Sequence, residues 1–183
     1  MKEITEIVAG LMAAAARTAP KAGGKDFLEI VVVSREEDLG RIAGAMRKYA
    51  PESTNEAYWL RDAANTENSQ ALLLVGLKEP VTAGYDCGGC GWPTCAEFAG
   101  NRKLDDKEMG YSGPHCVMRM MDIGVALSSA AKAASLLNVD NRVQQRVGAA
   151  ARALGFIKAE VVMGIPVGVT GKNIYFDRQT PKH

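Results

Sequence analysis

The spacing of apolar residues along the chain predicts alternating helices and strands. Residues 3–17 repeat apolar side chains at helical spacing and predict an amphipathic helix. We expect one apolar face of this helix to carry Ile4, Ile7, Val8, Leu11, Met12 and Ala15. The runs "FLEIVVV" (27–33) and "ALLLVGL" (71–77) are continuous and aliphatic, which is typical of buried strands.

The second half of the chain predicts two more helices and two more strands. Residues 117–137 are apolar almost all round and rich in small residues, so this helix is expected to be central or at a subunit interface. Residues 141–154 predict an amphipathic helix. The stretches "AEVVMGI" (159–165) and "NIYFD" (173–177) predict the last strands, joined by a tight hairpin.

The order of these elements predicts an α+β fold in one domain spanning residues 1–183. Helices and strands follow one another in a pattern that gives a mixed β-sheet flanked by helices. Residues 81–116 interrupt the pattern with Gly, Pro, Cys and charged residues, and hold all four cysteines. We therefore expect them to form a loop-rich insert with a short helix at 94–101.

Composition and charge narrow the classes of function. The chain has 183 residues, 22 basic and 21 acidic side chains and a net charge of +1, with no basic stripe that would bind nucleic acid. The apolar stretch 117–137 contains Arg119, Asp122 and Lys132, which argues against a membrane span. The N-terminus has no signal-peptide pattern, so we expect a cytoplasmic protein. Asp122 and Arg119 are expected to pair on one helix face.

The cysteines follow the pattern Cys87-x2-Cys90-x4-Cys95-x20-Cys116. In the cytoplasm, clustered cysteines are more often metal ligands or redox groups than structural disulfides. Structural zinc sites usually combine two Cys-x2-Cys knuckles, and this segment has one. The spacing therefore favours a [4Fe–4S] cluster over zinc. The alternative is a structural zinc site in which His115 replaces one thiolate.

The residues between the cysteines suit a cluster. Glycines at 88, 89 and 91 allow a tight backbone whose N–H groups point inward. Thr94 and Glu97 form a capping-box pattern, which places Cys95 in the first turn of a helix, where the helix dipole stabilises a thiolate.

Two resemblances agree with a cluster. "CGGCGWPTCAEFA" resembles the four-cysteine iron–sulfur domain of electron-transfer complexes and of the corrinoid iron–sulfur protein, which implies a [4Fe–4S] cluster; the gap before Cys116 is longer than in that family. Over its whole length, the chain resembles a family of uncharacterised ferredoxin-domain proteins of anaerobic prokaryotes. The stretches that carry this second resemblance are "ARTAPKAGGKD", the cysteine segment, "DIGVALSSAAKAASLLNVDNR" and "VVMGIPVGVTGKNIYFDR".

The scaffold resembles the nitroreductases. "ARTAPKAGG" after the first helix is similar to an A-R-x-A-P-S segment of those flavoproteins, and "MDIGVAL" is similar to the start of their central helix. The resemblance implies a homodimer with FMN at the interface and its phosphate near Arg17 or Lys21. The chain lacks the N-terminal Arg-rich grip on that phosphate, and Lys21 stands where a Ser is expected. The alternative role of Arg17 and Lys21 is to favour the C-terminus of the first helix.

These observations lead to three hypotheses. The first is an iron–sulfur protein that passes electrons to an unknown redox partner. The second is a nitroreductase-like oxidoreductase that holds FMN as well as the cluster. The third is a binding module stabilised by zinc. No nucleic acid or membrane is expected as a partner, and a homodimer is expected.

Overall fold

The computed structural model describes residues 1–78, 81–103 and 105–177. The helices are α1 (Lys2–Thr18), α2 (Glu36–Tyr49), α3 (Glu56–Glu67), α4 (Cys95–Asn101), α5 (Val117–Leu136) and α6 (Gln145–Ala153). The strands are β1 (Leu28–Val33), β2 (Ala71–Leu77), β3 (Asp105–Asp106), β4 (Ser112–Gly113), β5 (Asp140–Asn141) and β6 (Val161–Gly168). Every helix predicted in the sequence analysis, including the short one at 94–101, is present within a few residues of its expected bounds.

The main sheet has the strand order β1-β2-β6-β5, and β3 and β4 form a separate two-stranded ribbon. The α+β class with helices flanking a sheet is confirmed. Each pairing among the described strands is antiparallel, whereas the sequence predicted a mixed sheet. The reason lies in the connection from β1 to β2, which consists of the two helices α2 and α3 packed side by side. The chain thus travels down one helix and up the other before it re-enters the sheet in the opposite direction.

Strand β2 lies between two apolar cores, one on each face of the sheet. Its residues are all buried, and side chains alternate between the two faces of the sheet. Leu73 and Val75 belong to the core that contains α1 and α5, while Leu72 and Leu74 belong to the core under α2, α3 and α6. A strand covered by helices on both faces must be apolar throughout, which explains the run "ALLLVGL".

The last predicted strand is wrong. Residues 174–176 form a turn, and β6 continues to Gly168 instead of ending in a tight hairpin. The fourth strand position is taken by the short β5, which pairs with the end of β6. Tyr175 is fully buried, and its hydroxyl lies 2.9 Å from the Ser69 hydroxyl. The apolar pattern at 173–177 therefore reflects an anchored turn.

The buried face of α1 also differs from the predicted one. Its buried residues are Thr5, Val8, Ala9, Met12 and Ala16. Ile4, Ile7 and Leu11 are exposed, with 64% of Ile7 accessible to solvent. Helix α1 packs mainly against α5, and small side chains such as Ala9 and Ala16 allow the two helices to approach closely. The outward faces of α1 and α5 consequently retain large apolar side chains, including Met121 and Val125.

Among the described residues, no helix is both long enough and apolar enough to cross a membrane.

Candidate metal centre

The four cysteines line one cavity beside the N-terminus of α5. Cys87 and Cys90 lie in the loop after β2, Cys95 is the first residue of α4, and Cys116 is the N-cap of α5. Aromatic side chains complete the wall: Tyr85, Trp92 and Phe98. Cys87 is exposed, Cys90 and Cys95 are half-buried and Cys116 is buried. The structure therefore brings together the four residues that the spacing predicted as ligands.

Backbone N–H groups are directed at two of the sulfur atoms. The Val117 N–H lies 3.2 Å from Cys90 Sγ. Burial opposes ionisation of Cys116, but N–H groups of Arg119, Ala83 and Met118 hold the pKa of its thiol below the usual value. For Cys90, burial is the main effect and raises the pKa, and the nearby thiols of Cys116 and Cys87 act in the same direction. The two shifts differ in sign because Cys116 accepts hydrogen bonds from more backbone N–H groups than Cys90 does.

The loop reaches this geometry through its glycines. Gly88 and Gly91 have φ of +70° and +85°, a conformation that other residues rarely adopt. Gly89 lies against α5, where a Cβ would approach Val117 Cγ1 to 2.5 Å. The start of α4 is fixed by the expected cap, because Thr94 Oγ1 accepts a hydrogen bond of 3.2 Å from the Glu97 N–H. Asp86 adds an unpredicted contact by accepting a 2.6 Å hydrogen bond from the Cys95 N–H.

Four thiol donors are a set that either a [4Fe–4S] cluster or a zinc ion can use. In the described part of the chain, no three His, Cys, Asp or Glu side chains are arranged to hold one metal ion. A tetrahedral zinc site would need its sulfur atoms about 3.8 Å apart, given a Zn–S bond of about 2.3 Å. A cubane cluster separates its four thiolates more widely, because each binds a different iron. The cavity that the four cysteines line has a volume of about 10 Å³, roughly enough for one water molecule.

His115 is directed away from the cysteines. It does not line the cavity; its Nε2 lies 2.7 Å from the Ser112 carbonyl and 3.1 Å from Glu160 Oε2. Burial lowers the pKa of His115. A zinc site that uses His115 in place of a thiolate would therefore require this side chain to leave Glu160.

The two residues predicted to meet an FMN phosphate already have protein partners. Lys21 Nζ donates to the carbonyl oxygens of Ala16, Arg17 and Ala19 at 3.2, 2.7 and 2.8 Å. Arg17 Nη1 donates to Asp26 Oδ2 at 2.5 Å and to the Leu28 carbonyl at 2.9 Å. The Lys21 contacts stabilise the end of α1, and the Arg17 contacts tie α1 to Asp26 and to the start of β1. The role of Arg17 and Lys21 in phosphate binding stays a prediction.

The expected pair of Arg119 and Asp122 is confirmed, with 2.8 Å between Nη1 and Oδ2. Sequence reasoning missed what the pair does beyond its own helix. Asp122 Oδ1 accepts the Ala22 N–H at 2.7 Å, and Arg119 Nη1 donates to the Ala22 carbonyl at 3.1 Å. Contacts between residues about 100 positions apart leave no local pattern in a sequence; the only available signal was a charged pair in an apolar helix.

Three solved structures with a similar fold are described as FMN-bound or as a flavoprotein. A nitroreductase with bound FMN from Desulfitobacterium hafniense has a TM-score of 0.60 at 13% identity, over 98% of this chain and 82% of the other. An FMN-bound nitroreductase from Bacteroides fragilis has a TM-score of 0.59 at 12% identity, over 96% and 83%. A BluB-like flavoprotein from Clostridium difficile has 0.57 at 17% identity, over 98% and 85%. At these identities the likeness establishes a nitroreductase-like fold.

Sequence relatives establish the family. A protein of Archaeoglobus fulgidus, described as "Uncharacterized protein", is 44% identical over 180 residues, which cover 98% of this chain and 95% of the relative. Residues 112–178, which include Cys116, match the family model described as "Uncharacterized protein containing a ferredoxin domain (DUF2148)". The whole-length resemblance read from the sequence is thereby confirmed. The chain belongs to this family of ferredoxin-domain proteins, built on a nitroreductase-like fold.

Proposed function

We propose that the protein carries one [4Fe–4S] cluster and transfers electrons to a redox partner. The observation that supports this proposal is the convergence of Cys87, Cys90, Cys95 and Cys116 on one cavity. The N–H groups at the start of α5 are directed at two of these sulfur atoms. When bound, such a cluster supplies a centre that accepts and releases single electrons.

The four cysteines would hold the cluster from different surroundings. Cys116 and Cys90 lie closest to the backbone donors of α5, which favour their thiolates and stabilise added negative charge. Cys87 is the exposed ligand, and the cavity residues Tyr85 and Trp92 are also exposed. This side therefore offers the shortest path for electron transfer to a partner. Phe98 is a buried part of the cavity wall and would exclude water there.

Anaerobic reconstitution with iron and sulfide tests the proposal. We expect about four irons and four sulfides per chain, a broad absorption shoulder in the blue and a paramagnetic signal after reduction. Cys90→Ala should abolish this spectrum, since a buried cluster that loses a thiolate must exchange it for a weaker ligand. Glu56→Gln, at an exposed position in the first turn of α3, is the control and should reconstitute normally. A colourless protein that binds zinc instead would support the third hypothesis, a zinc-stabilised binding module.

The second candidate function is an oxidoreductase that also holds FMN. The observation that favours it is the fold, because the solved neighbours contain FMN. The loop predicted to meet the flavin also lies next to the cysteine cavity: a Cβ on Gly23 would be 3.4 Å from the Tyr85 hydroxyl. Titration with FMN, followed by quenching of flavin fluorescence, tests this function. Stoichiometric binding that Lys21→Ala weakens would support it, and absence of binding to the cluster-loaded protein would leave electron transfer alone.

We also propose that the protein is a homodimer. The exposed apolar side chains of α1 and α5 form an outer surface, which we name the α1–α5 face: Ile4, Ile7, Leu11, Met121 and Val125. Gly124 and Ser128 lie among them on α5 and allow close approach of another backbone. Surfaces of this kind are commonly covered by another protein, and a second copy offers the same apolar chemistry.

A further inference from the structure

Residues 21–25, which we name the 21–25 loop, follow α1 and lie beside the cysteine cavity. Gly23 and Gly24 give it φ values of +65° and +66°. On one side the loop reaches Tyr85, since a Cβ on Gly23 would lie 3.4 Å from the tyrosine hydroxyl. Tyr85 is itself part of the cavity wall. On its other side the loop contacts α5.

The contact with α5 is made by two buried charges. The side chains of Arg119 and Asp122 are only 2% and 8% exposed. Asp122 Oδ1 accepts the Ala22 N–H, and Arg119 Nη1 donates to the Ala22 carbonyl, so one ion pair satisfies both backbone groups of a single loop residue. The Arg119 guanidinium also lies over the Phe27 ring, 4.7 Å from its centroid. We name Arg119 and Asp122 the α5 clamp.

The same clamp residue touches the candidate ligand set. The backbone N–H of Arg119 is one of the donors to the Cys116 sulfur. Arg119 Nε is buried and has no hydrogen-bond partner in the described part of the chain. The contacts of this guanidinium therefore pass through Nη1, which donates to both Asp122 Oδ2 and the Ala22 carbonyl, so a movement of the first turn of α5 would act on both hydrogen bonds.

We propose that Arg119 and Asp122 are positioning residues that couple the occupancy of the cysteine cavity to the conformation of the 21–25 loop. This inference rests on the proposed metal centre. A metal bound by Cys116 fixes the first turn of α5, and that turn holds Ala22 through the clamp. Thermodynamic linkage makes the effect reciprocal: an ordered loop favours the arrangement of α5 that binds metal.

Hydrogen exchange measured by mass spectrometry tests the coupling. We follow the peptide that contains Ala22 in the metal-free and the iron–sulfur-reconstituted protein, both under anaerobic conditions. Reconstitution should slow its exchange by about five-fold or more, the lower end of typical coupling between sites. In Asp122→Asn this protection should disappear, because an amide cannot accept from both Arg119 and Ala22 as the carboxylate does. Asp122→Glu, which restores the charge, should recover part of it.

The matched control is Asp62→Asn. Asp62 is a buried carboxylate paired with Arg61 and Arg146, and it lies on α3, on the other side of the sheet. This variant loses a comparable ion pair, so general destabilisation would affect it equally, yet it should keep the protection at Ala22. If Asp122→Asn fails to fold, Arg119→Met, which removes the charge and the Nη1 donor that both contacts use, takes its place.

The outcomes separate this inference from the proposed function. Equal protection of Ala22 in the parent protein and the clamp variant, or no protection in either, overturns the coupling while the cluster stands. A protein that takes up zinc but no cluster contradicts the proposed function alone, and the same comparison on the zinc-loaded form then decides the coupling. A protein that takes up neither overturns both.

Discussion

Replacing Gly89 with alanine perturbs the point where the cysteine loop rests on α5. The new Cβ would lie 2.5 Å from Val117 Cγ1 and 3.3 Å from Val117 Cβ. The shorter distance is about 1 Å below an ordinary carbon–carbon contact. Gly89 has no left-handed φ, so the substitution acts through this contact and not through backbone strain.

The cost can be bounded from the two ways of relieving the clash. If the Val117 side chain rotates, it leaves the rotamer that β-branched residues strongly prefer in helices, at a cost of about 1 kcal/mol. If the loop moves outward instead, overpacking costs about 1–3 kcal/mol. That movement would also lengthen the 3.2 Å hydrogen bond from the Val117 N–H to Cys90 Sγ. We therefore expect Gly89→Ala to lower the free energy of unfolding by about 1–3 kcal/mol and to speed loss of the cluster.

A double-mutant cycle provides the assay. The free energy of unfolding is measured by urea denaturation for the parent, Gly89→Ala, Val117→Ala and the double variant, and cluster loss to an iron chelator is followed in parallel. Because Val117→Ala removes the clashing methyl group, the double variant should be less destabilised than the sum of the single variants, by at least about 1 kcal/mol. Gly100→Ala, in the same segment, is the control, since a Cβ there meets no atom within 4 Å.

Additive costs would refute this reasoning. If the two substitutions sum to within about 0.5 kcal/mol, the methyl groups do not meet and the loop does not rest on Val117 as described. Destabilisation by Gly100→Ala equal to that by Gly89→Ala would likewise show that the segment tolerates no alanine, whatever the contact.

Three further predictions follow from other parts of the fold. Val125→Glu on the α1–α5 face should convert the proposed dimer to a monomer in sedimentation experiments, whereas Val143→Glu, at an equally exposed valine, should not. Gly148→Ala should lower the free energy of unfolding by about 1–3 kcal/mol, because the new Cβ would lie 2.2 Å from the Val162 carbonyl oxygen. An unchanged midpoint of urea denaturation would contradict that contact. Burial opposes ionisation of Asp26, but hydrogen bonds hold its pKa below the usual 3.8, so its contribution to stability is present above that pH and lost as the pH falls. Asp26→Asn should therefore flatten the acid side of a stability–pH curve, and an equally steep curve would show that Asp26 contributes nothing.

Local patterns were sufficient to predict most elements and the membership of the candidate site. The run 71–77 predicted a buried strand, and the structure places it inside the main sheet with every residue buried. Three local features could be predicted because each acts over a few residues: the spacing of the first three cysteines, the glycines between them and the Thr94 cap. The structure contains the cap and the glycine turns. Cys116 could be assigned only by its type, since it lies 21 positions beyond Cys95.

Tertiary structure alone decided the features that depend on distant contacts. Ile4, Ile7 and Leu11 have the spacing of a core face, but packing against α5 selected the neighbouring face with its small residues. The stretch 173–177 has the composition of a strand, yet the Tyr175 hydroxyl finds Ser69 and the chain turns. Asp122 and Ala22 meet across 100 positions. Such contacts depend on how whole elements pack, and no periodicity in the chain encodes which elements will meet.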